Sequence, residues 1–539
     1  MSRTSPMLLV LLISAASVPA AGQERSAASL EALPAAQWDA QAASHLLRRA
    51  GFGGTPAEVE RLHRLGLEGA VDWLVDFDRQ GYAPAPPAVD PLVMEGLDRT
   101  ELRGKTPEER QAIVERRRRA ERESFEEIRL WWIERMATTP RPLEEKMTLF
   151  WHGHFTSGMR EVRRAQFMLE QNELLRRRAL DSFRELLIGT SRDRAMLTYL
   201  DGNRNVASAP NENYARELLE LFTLGIGNYT EADIKAAARA FTGWSYNESG
   251  FIFRRAQHDA GPKRLLGRGG NLTGEDVIDI ILDQPACARF LSRKLLEFFV
   301  RPDPPRELVE ALAREIRRQK YALRPVMRTL LKSKAFYHAE ARGSLVRSPV
   351  EVVIGTARAL GVPVANLPAA QRAMTAMGQE LMQPPNVKGW DGGKAWINTA
   401  TLFTRYNTVG ELIHGAGDQR AVRAMTAEEN DEAVVVGDAS LVREPAEPMK
   451  PRKRLQRSGQ PAYDALVVVR QRGLTTPEQI VDFYAGHLLA APLSAAKREE
   501  LVEYLSGPDG RFTVSAPQAA GRIRTMIHLL LSTPEYQMY

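Results

Sequence analysis

Along most of the chain, apolar residues recur at three- and four-residue intervals, the spacing that lines one face of an α-helix. The stretches TPAEVERLHRLGLEGAVDWLVD (Thr55 to Asp76) and PPRELVEALAREIRRQ (Pro304 to Gln319) show it plainly, each behind a Thr or Pro start signal. Strand periodicity is sparse. It is best in GFIFRR (Gly250 to Arg255), where Phe251 and Phe253 alternate with other residues in a Gly-bounded loop region. The pattern predicts a mainly α protein: a large multi-helical domain over 38–414 with a small β insertion, then a small helical C-terminal unit over 462–539. Between the two, 415–461 is rich in Ala, Glu, Arg and Pro and is expected to be a polar linker or insertion.

The first 22 residues read as an export signal. Arg3 supplies the positive start, Met7 to Val18 the apolar core, and Pro19 to Gly22 the small-residue cleavage region. That core is too short for a bilayer, and no later segment reaches the roughly 18 apolar residues a membrane helix needs. The mature chain is therefore expected outside the cytoplasm, periplasmic or extracellular, with no membrane span after cleavage.

Composition changes this picture little. Of 539 residues 44% are hydrophobic, ample for a core, and 73 basic against 67 acidic residues leave a net charge of only +6. In VERRRRAERESFEEIR (Val114 to Arg129) the signs interleave at helical spacing, which reads as a solvated helix face and argues against a nucleic-acid partner. Cys287 is the only cysteine, so no internal disulfide and no cysteine-rich metal cage can form. Phosphate-loop, nucleophile-elbow and His-Glu-x-x-His signatures are absent.

Four stretches could carry chemistry. In LFWHGHFTSG (Leu149 to Gly158), His152 and His154 flank Gly153 at an expected helix end; off the helix both rings could converge on one ion, and on it they would diverge. In PNENYARELLELFTLGIGNYTEADI (Pro210 to Ile234), Glu212, Asn213, Arg216, Glu217 and Glu220 share one helix face opposite an apolar one. Exposed, that face is ordinary surface; buried, its carboxylates would have raised pKa values suited to proton transfer. His258 and Asp259 lie in a loop, QHDAGPKRLLG, and could join the histidines at a divalent transition metal or simply cap a turn. In MQPPNVKGWDGGKAWIN (Met382 to Asn398), Trp390 and Trp396 with Asn386 and Lys388 could bind a sugar or polar polymer, or the tryptophans could lock the loop to the core.

Together these motifs, with HLLRRAGFGGT, AARAFTGWS and VRSPVEVVIGTARALG in the same order, resemble the bacterial domain of unknown function 1800 family. The similarity runs from about His45 to His414, with an echo in the closing LLLSTPEYQ. The family pattern often has Asn where this chain has Gly153. The resemblance implies an exported, mostly helical protein without specifying a reaction. It also implies a co-encoded exported partner of the sulfatase-like domain of unknown function 1501 family. It further makes His45 and the polar residues of the first three stretches candidates for one shared site.

The leading expectation is a hydrolase or lyase acting on an extracytoplasmic polysaccharide or other polymer. Glu212, Glu217, Glu220 and His154 are its catalytic candidates. Asn213, Arg216, Asn386, Lys388, Trp390 and Trp396 are expected to hold substrate, and His152, His154, His258 and Asp259 a metal. The alternative is a non-catalytic binding or assembly component in which the same polar motifs form a buried structural network.

Overall fold

Helix accounts for 64% of the described residues, and their β structure is two small antiparallel ribbons. The computed structural model describes residues 27–82, 84–94, 102–428, 463–508 and 510–539. The expected export signal over 1–22 lies outside the described residues, as do residues 429–461 of the expected linker. That linker's first residue, Gly415, interrupts the helix Thr399–Glu428 with a φ of 73°.

Local signals act as the sequence predicts. Thr55 and Glu58 form a capping box for the helix Pro56–Arg64, and a second helix, Gly66–Val75, follows at once. What reads as one periodic stretch is thus two helices, because Gly66 takes a left-handed φ of 70°. The predicted strand pairs as Gly250–Phe253 with Trp244–Asn247, and a second ribbon joins Lys263–Leu265 to Arg268–Gly270.

The organising element is the helix Pro142–His154, in which every residue except Gly153 is buried. Leu143, Met147, Phe150 and Trp151 join the largest apolar cluster, and Leu149 joins a second one built on the helices Pro107–Thr138 and Pro349–Leu360. A helix buried all round must match each of its polar groups internally. Glu145 receives Arg135, Arg176 and the Trp132 Nε1–H. Lys146 is paired with Glu351, which also accepts the Tyr539 hydroxyl.

The C-terminal helices Ala465–Gln471, Pro477–Leu488, Ala495–Ser506 and Ala519–Ser532 enclose a third cluster. Val352, Leu360, Val409 and Ile413 of the preceding domain complete it, so this unit shares its core with the rest of the chain. Among the described residues no helix is long and apolar enough to cross a membrane.

Candidate functional site

The helix carrying the His-Gly-His motif continues through His154, so the two rings leave it on different sides. His152 accepts the Met382 N–H at its Nε2 (3.1 Å), and its ring lies between Trp132 and Trp390. His154 donates from Nε2 to the Phe222 carbonyl (3.0 Å) within a wall that includes Phe150, Phe155, Phe183 and Phe290. Burial pushes the His152 imidazole down to about 4; burial and Lys294 push that of His154 down to about 3. Both rings are therefore neutral at physiological pH and fastened to backbone.

The carbonyl that His154 holds belongs to an unusual turn. The helix Asn213–Glu217 passes directly into a π-helical segment, Leu218–Thr223, where Leu224 N–H reaches the Leu219 carbonyl at 2.9 Å, five residues back. Such segments leave terminal carbonyls open and recur at functional sites. Glu217 and Glu220 stand on its outer side. Tyr229 donates to Glu220 at 2.8 Å. Glu217 is half-buried, and its carboxyl makes no hydrogen bond or ion pair among the described residues. Burial and neighbouring Glu220 push its carboxyl above the usual range, against the opposing pull of Arg216 and Lys388. Burial together with Glu161 and Glu217 pushes the Tyr199 hydroxyl up to about 12, while burial and Glu220 do the same to Tyr229.

The tryptophan loop packs against the helix end from another side. Gly389, at a φ of 87°, presses so closely on the Gly153 carbonyl that an added Cβ would lie 2.3 Å from it. A side chain at Gly389 would separate the loop from the helix end, whereas a Cβ at Gly153 would only touch the Trp390 ring at 3.8 Å. Asn386 accepts the Lys388 N–H (2.9 Å) and shapes the turn that carries Lys388 towards Glu217.

Three of the four stretches thus meet: the His-Gly-His helix end lies beneath, the glutamate segment beside it, and the tryptophan loop above. The family model described as "Protein of unknown function (DUF1800)" matches residues 45–538. The chain belongs to that family. Its extent includes the C-terminal unit, beyond the His45-to-His414 span that the motifs mark. No curated protein and no solved structure matches the chain.

Several expected roles for this DUF1800 chain do not survive the geometry. The metal set of His152, His154, His258 and Asp259 is not assembled. The two helix histidines diverge, His258 Nδ1 is tied to the Thr242 carbonyl (2.9 Å), and Asp259 grips Arg239 (2.6 Å). Among the described residues no three His, Cys, Asp or Glu side chains are grouped to hold an ion. Arg239, which holds Asp259, lies in the last turn of the helix Glu231–Ala240 that Glu231 opens, so about 12 Å of helix separates the residue anchoring the His-Asp turn from the one pairing with Arg216.

Arg216 is held between Glu212 (3.1 Å) and Glu231 (2.8 Å), a surface ladder whose charge is already matched. Glu212 is consequently a pairing residue, and Asn213 is exposed at the helix start, where its N–H is capped by Asn211. Trp396 is buried against Gly378 and offers no face to a sugar; its carbonyl anchors Thr401. His45 is buried elsewhere, bound to the Phe336 carbonyl at 2.9 Å.

Other residues take part that their motifs did not single out. Tyr229 sits inside the quoted glutamate stretch, and Tyr199, at the end of the helix Arg194–Tyr199, lies near both Glu217 and Glu161 of the helix Met159–Val162. Below them Gln171 Nε2 donates to both Ser157 (3.0 Å) and buried Asp193 (2.7 Å).

Gly389→Ala should lower the melting temperature, since it adds a backbone clash to a left-handed strain of about 1–2 kcal/mol. An unchanged thermal melt would show that the loop does not need that close approach.

Proposed function

We propose that this DUF1800 chain is an exported enzyme, a hydrolase or lyase that cleaves an extracytoplasmic polymer or glycan by proton transfer at Glu217. One observation carries the reading: a half-buried, unpaired carboxyl with a raised pKa stands beside a second carboxyl held by a tyrosine, facing an exposed lysine. Two carboxyl groups in unlike surroundings are what acid/base cleavage requires. Protonated Glu217 donates to the leaving oxygen. In a hydrolase, water attacks the other side of the broken bond and gives its proton to Glu220. In a lyase, Glu220 takes the proton from the adjacent carbon. Lys388 stabilises developing negative charge, and the half-buried Trp390 offers the one ring of the loop able to lie along a sugar.

The non-catalytic reading, a binding or assembly component for a co-encoded sulfatase-like protein, draws support from His152, His154 and Arg216, which are all engaged within the fold. Two variants separate these readings. Glu217→Gln should abolish release of reducing ends from a panel of cell-envelope polysaccharides while leaving the melting temperature equal or higher. The raised pKa means that ionising Glu217 costs stability as pH climbs above the unfolded value, and Gln removes that cost. His154→Ala should instead lower stability by about 2–5 kcal/mol through a cavity and an unmatched carbonyl. Retained cleavage by Glu217→Gln would end the catalytic assignment. A lower melting temperature for the same variant would favour the structural one.

A further inference from the structure

The arginine-rich run that reads as a solvated helix face borders a groove of about 400 Å³. One wall is the helix Pro107–Thr138, with Arg117, Arg118 and Arg122; the other is the short helix Met159–Val162 and its exit, with Arg160, Arg163 and Arg164. Between them the floor is apolar: Val93, Val114, Phe125 and Met159, extended by the arginine stems. This groove contains none of the residues assigned to proton transfer.

Its charge is unbalanced. Glu121 lines the groove, Glu115 pairs with Arg118 (3.1 Å), and Glu380 pairs with Arg160 (3.0 Å). Arg118 and Arg160 are thus paired, and Arg117 and Arg164 lie near Glu121. Arg164 is 3.6 Å from Glu121 and donates to the Val93 (3.2 Å) and Met94 (3.0 Å) carbonyls, so its head is held at the rim. Arg163 takes a left-handed φ of 56°, and its Nε donates to the Arg160 carbonyl (3.0 Å). Neither Arg122 nor Arg163 has a carboxylate partner among the described residues.

An unbalanced cationic rim over an apolar floor is complementary to one kind of molecule. The rim alone would suit any anion, and the floor alone any hydrocarbon. A volume of this size takes a small ligand rather than a folded partner. We propose that the groove between the helices Pro107–Thr138 and Met159–Val162 binds a single-chain anionic amphiphile, its hydrocarbon along Val93, Val114, Phe125 and Met159 and its anionic head on Arg122, Arg163 and Arg164. Guanidinium forks bind phosphate or carboxylate oxygens in pairs, which fixes the head while the chain is desolvated.

Isothermal titration of the full chain with dodecyl phosphate below its micellar concentration tests this directly. Saturable one-site binding is expected, about tenfold or more tighter than that of dodecyl maltoside or of inorganic phosphate alone. Arg122→Glu combined with Arg163→Glu should weaken it by about tenfold or more at unchanged melting temperature, because both side chains are exposed. Val114→Asp, which charges the floor and leaves the rim intact, should weaken it as well. Equal affinity for the neutral amphiphile, equal affinity for phosphate, binding only to anionic vesicles, or full binding by the double variant would each overturn the proposal.

Discussion

Glu145→Gln should cost about 3–5 kcal/mol in urea unfolding, the largest loss expected from any single isosteric change in this chain. Its carboxylate is 0% exposed and accepts from Arg176 Nε (2.7 Å) and Nη2 (3.0 Å), from Arg135 and from Trp132 Nε1 (3.0 Å). Burial raises its pKa, but Arg176 and Arg135 outweigh burial and leave it below the usual range. Gln keeps the shape and removes the charge. Arg135 keeps Glu144 at 3.3 Å and Arg176 keeps Glu173, so neither guanidinium is fully orphaned, yet the point where both converge is lost. Because that point fastens the central helix to two neighbours, the loss should reach the His-Gly-His corner. An unfolding midpoint within experimental error of the wild type would refute this account of the helix.

Asp193→Asn is expected to act in the opposite direction. Asp193 caps the helix Arg194–Tyr199, its Oδ2 accepting both Met196 N–H (2.9 Å) and Gln171 Nε2 (2.7 Å). Burial pushes its carboxyl up to about 7, despite those two hydrogen bonds. The folded pKa lies above the unfolded one, so the stability this group contributes is complete below about pH 4. It is lost as pH rises towards 7. A displacement of roughly three units corresponds to about 4 kcal/mol at the alkaline end. Asn reproduces the neutral acid, with one oxygen for the same two donors. The variant should therefore equal the wild type near pH 4, exceed it at pH 8, and flatten the pH profile between. Parallel wild-type and variant profiles across that range would show that Asp193 is ionised at little cost.

The fold class was legible because it depends on periodicity and caps, both local. Thr55, Thr230 and Ser348 each open a helix with a carboxylate three residues on, as their spacing predicts. The site was legible only in part. Glu217 and Glu220 lie on one face whether the backbone is α or π, so their proximity was readable. Which carboxylates find cations was not, since Glu231 reaches Arg216 from the next helix and Tyr229 reaches Glu220 across a turn. The histidines misled for a similar reason. The helix does end at this stretch, but it keeps its winding through His154, so the rings diverge, and each is taken up by a backbone group far away in sequence, the Met382 N–H and the Phe222 carbonyl. Nothing local in the sequence marks Asp193 as buried.

The π-helical winding of Leu218–Thr223 has a consequence for length variation. Five-residue hydrogen bonding stores one surplus residue, so losing Leu221, half-buried and without a charged role, would let the strip relax to regular α geometry rather than break. Because the wider turn is what absorbs that residue, the segments before and after the cut would keep nearly their present relation. The chain would remain helical, and Glu217 and Glu220 would keep their three-residue spacing. A shortened relative could therefore share this architecture and its paired carboxyls with an ordinary α-helix in place of the π-helical strip.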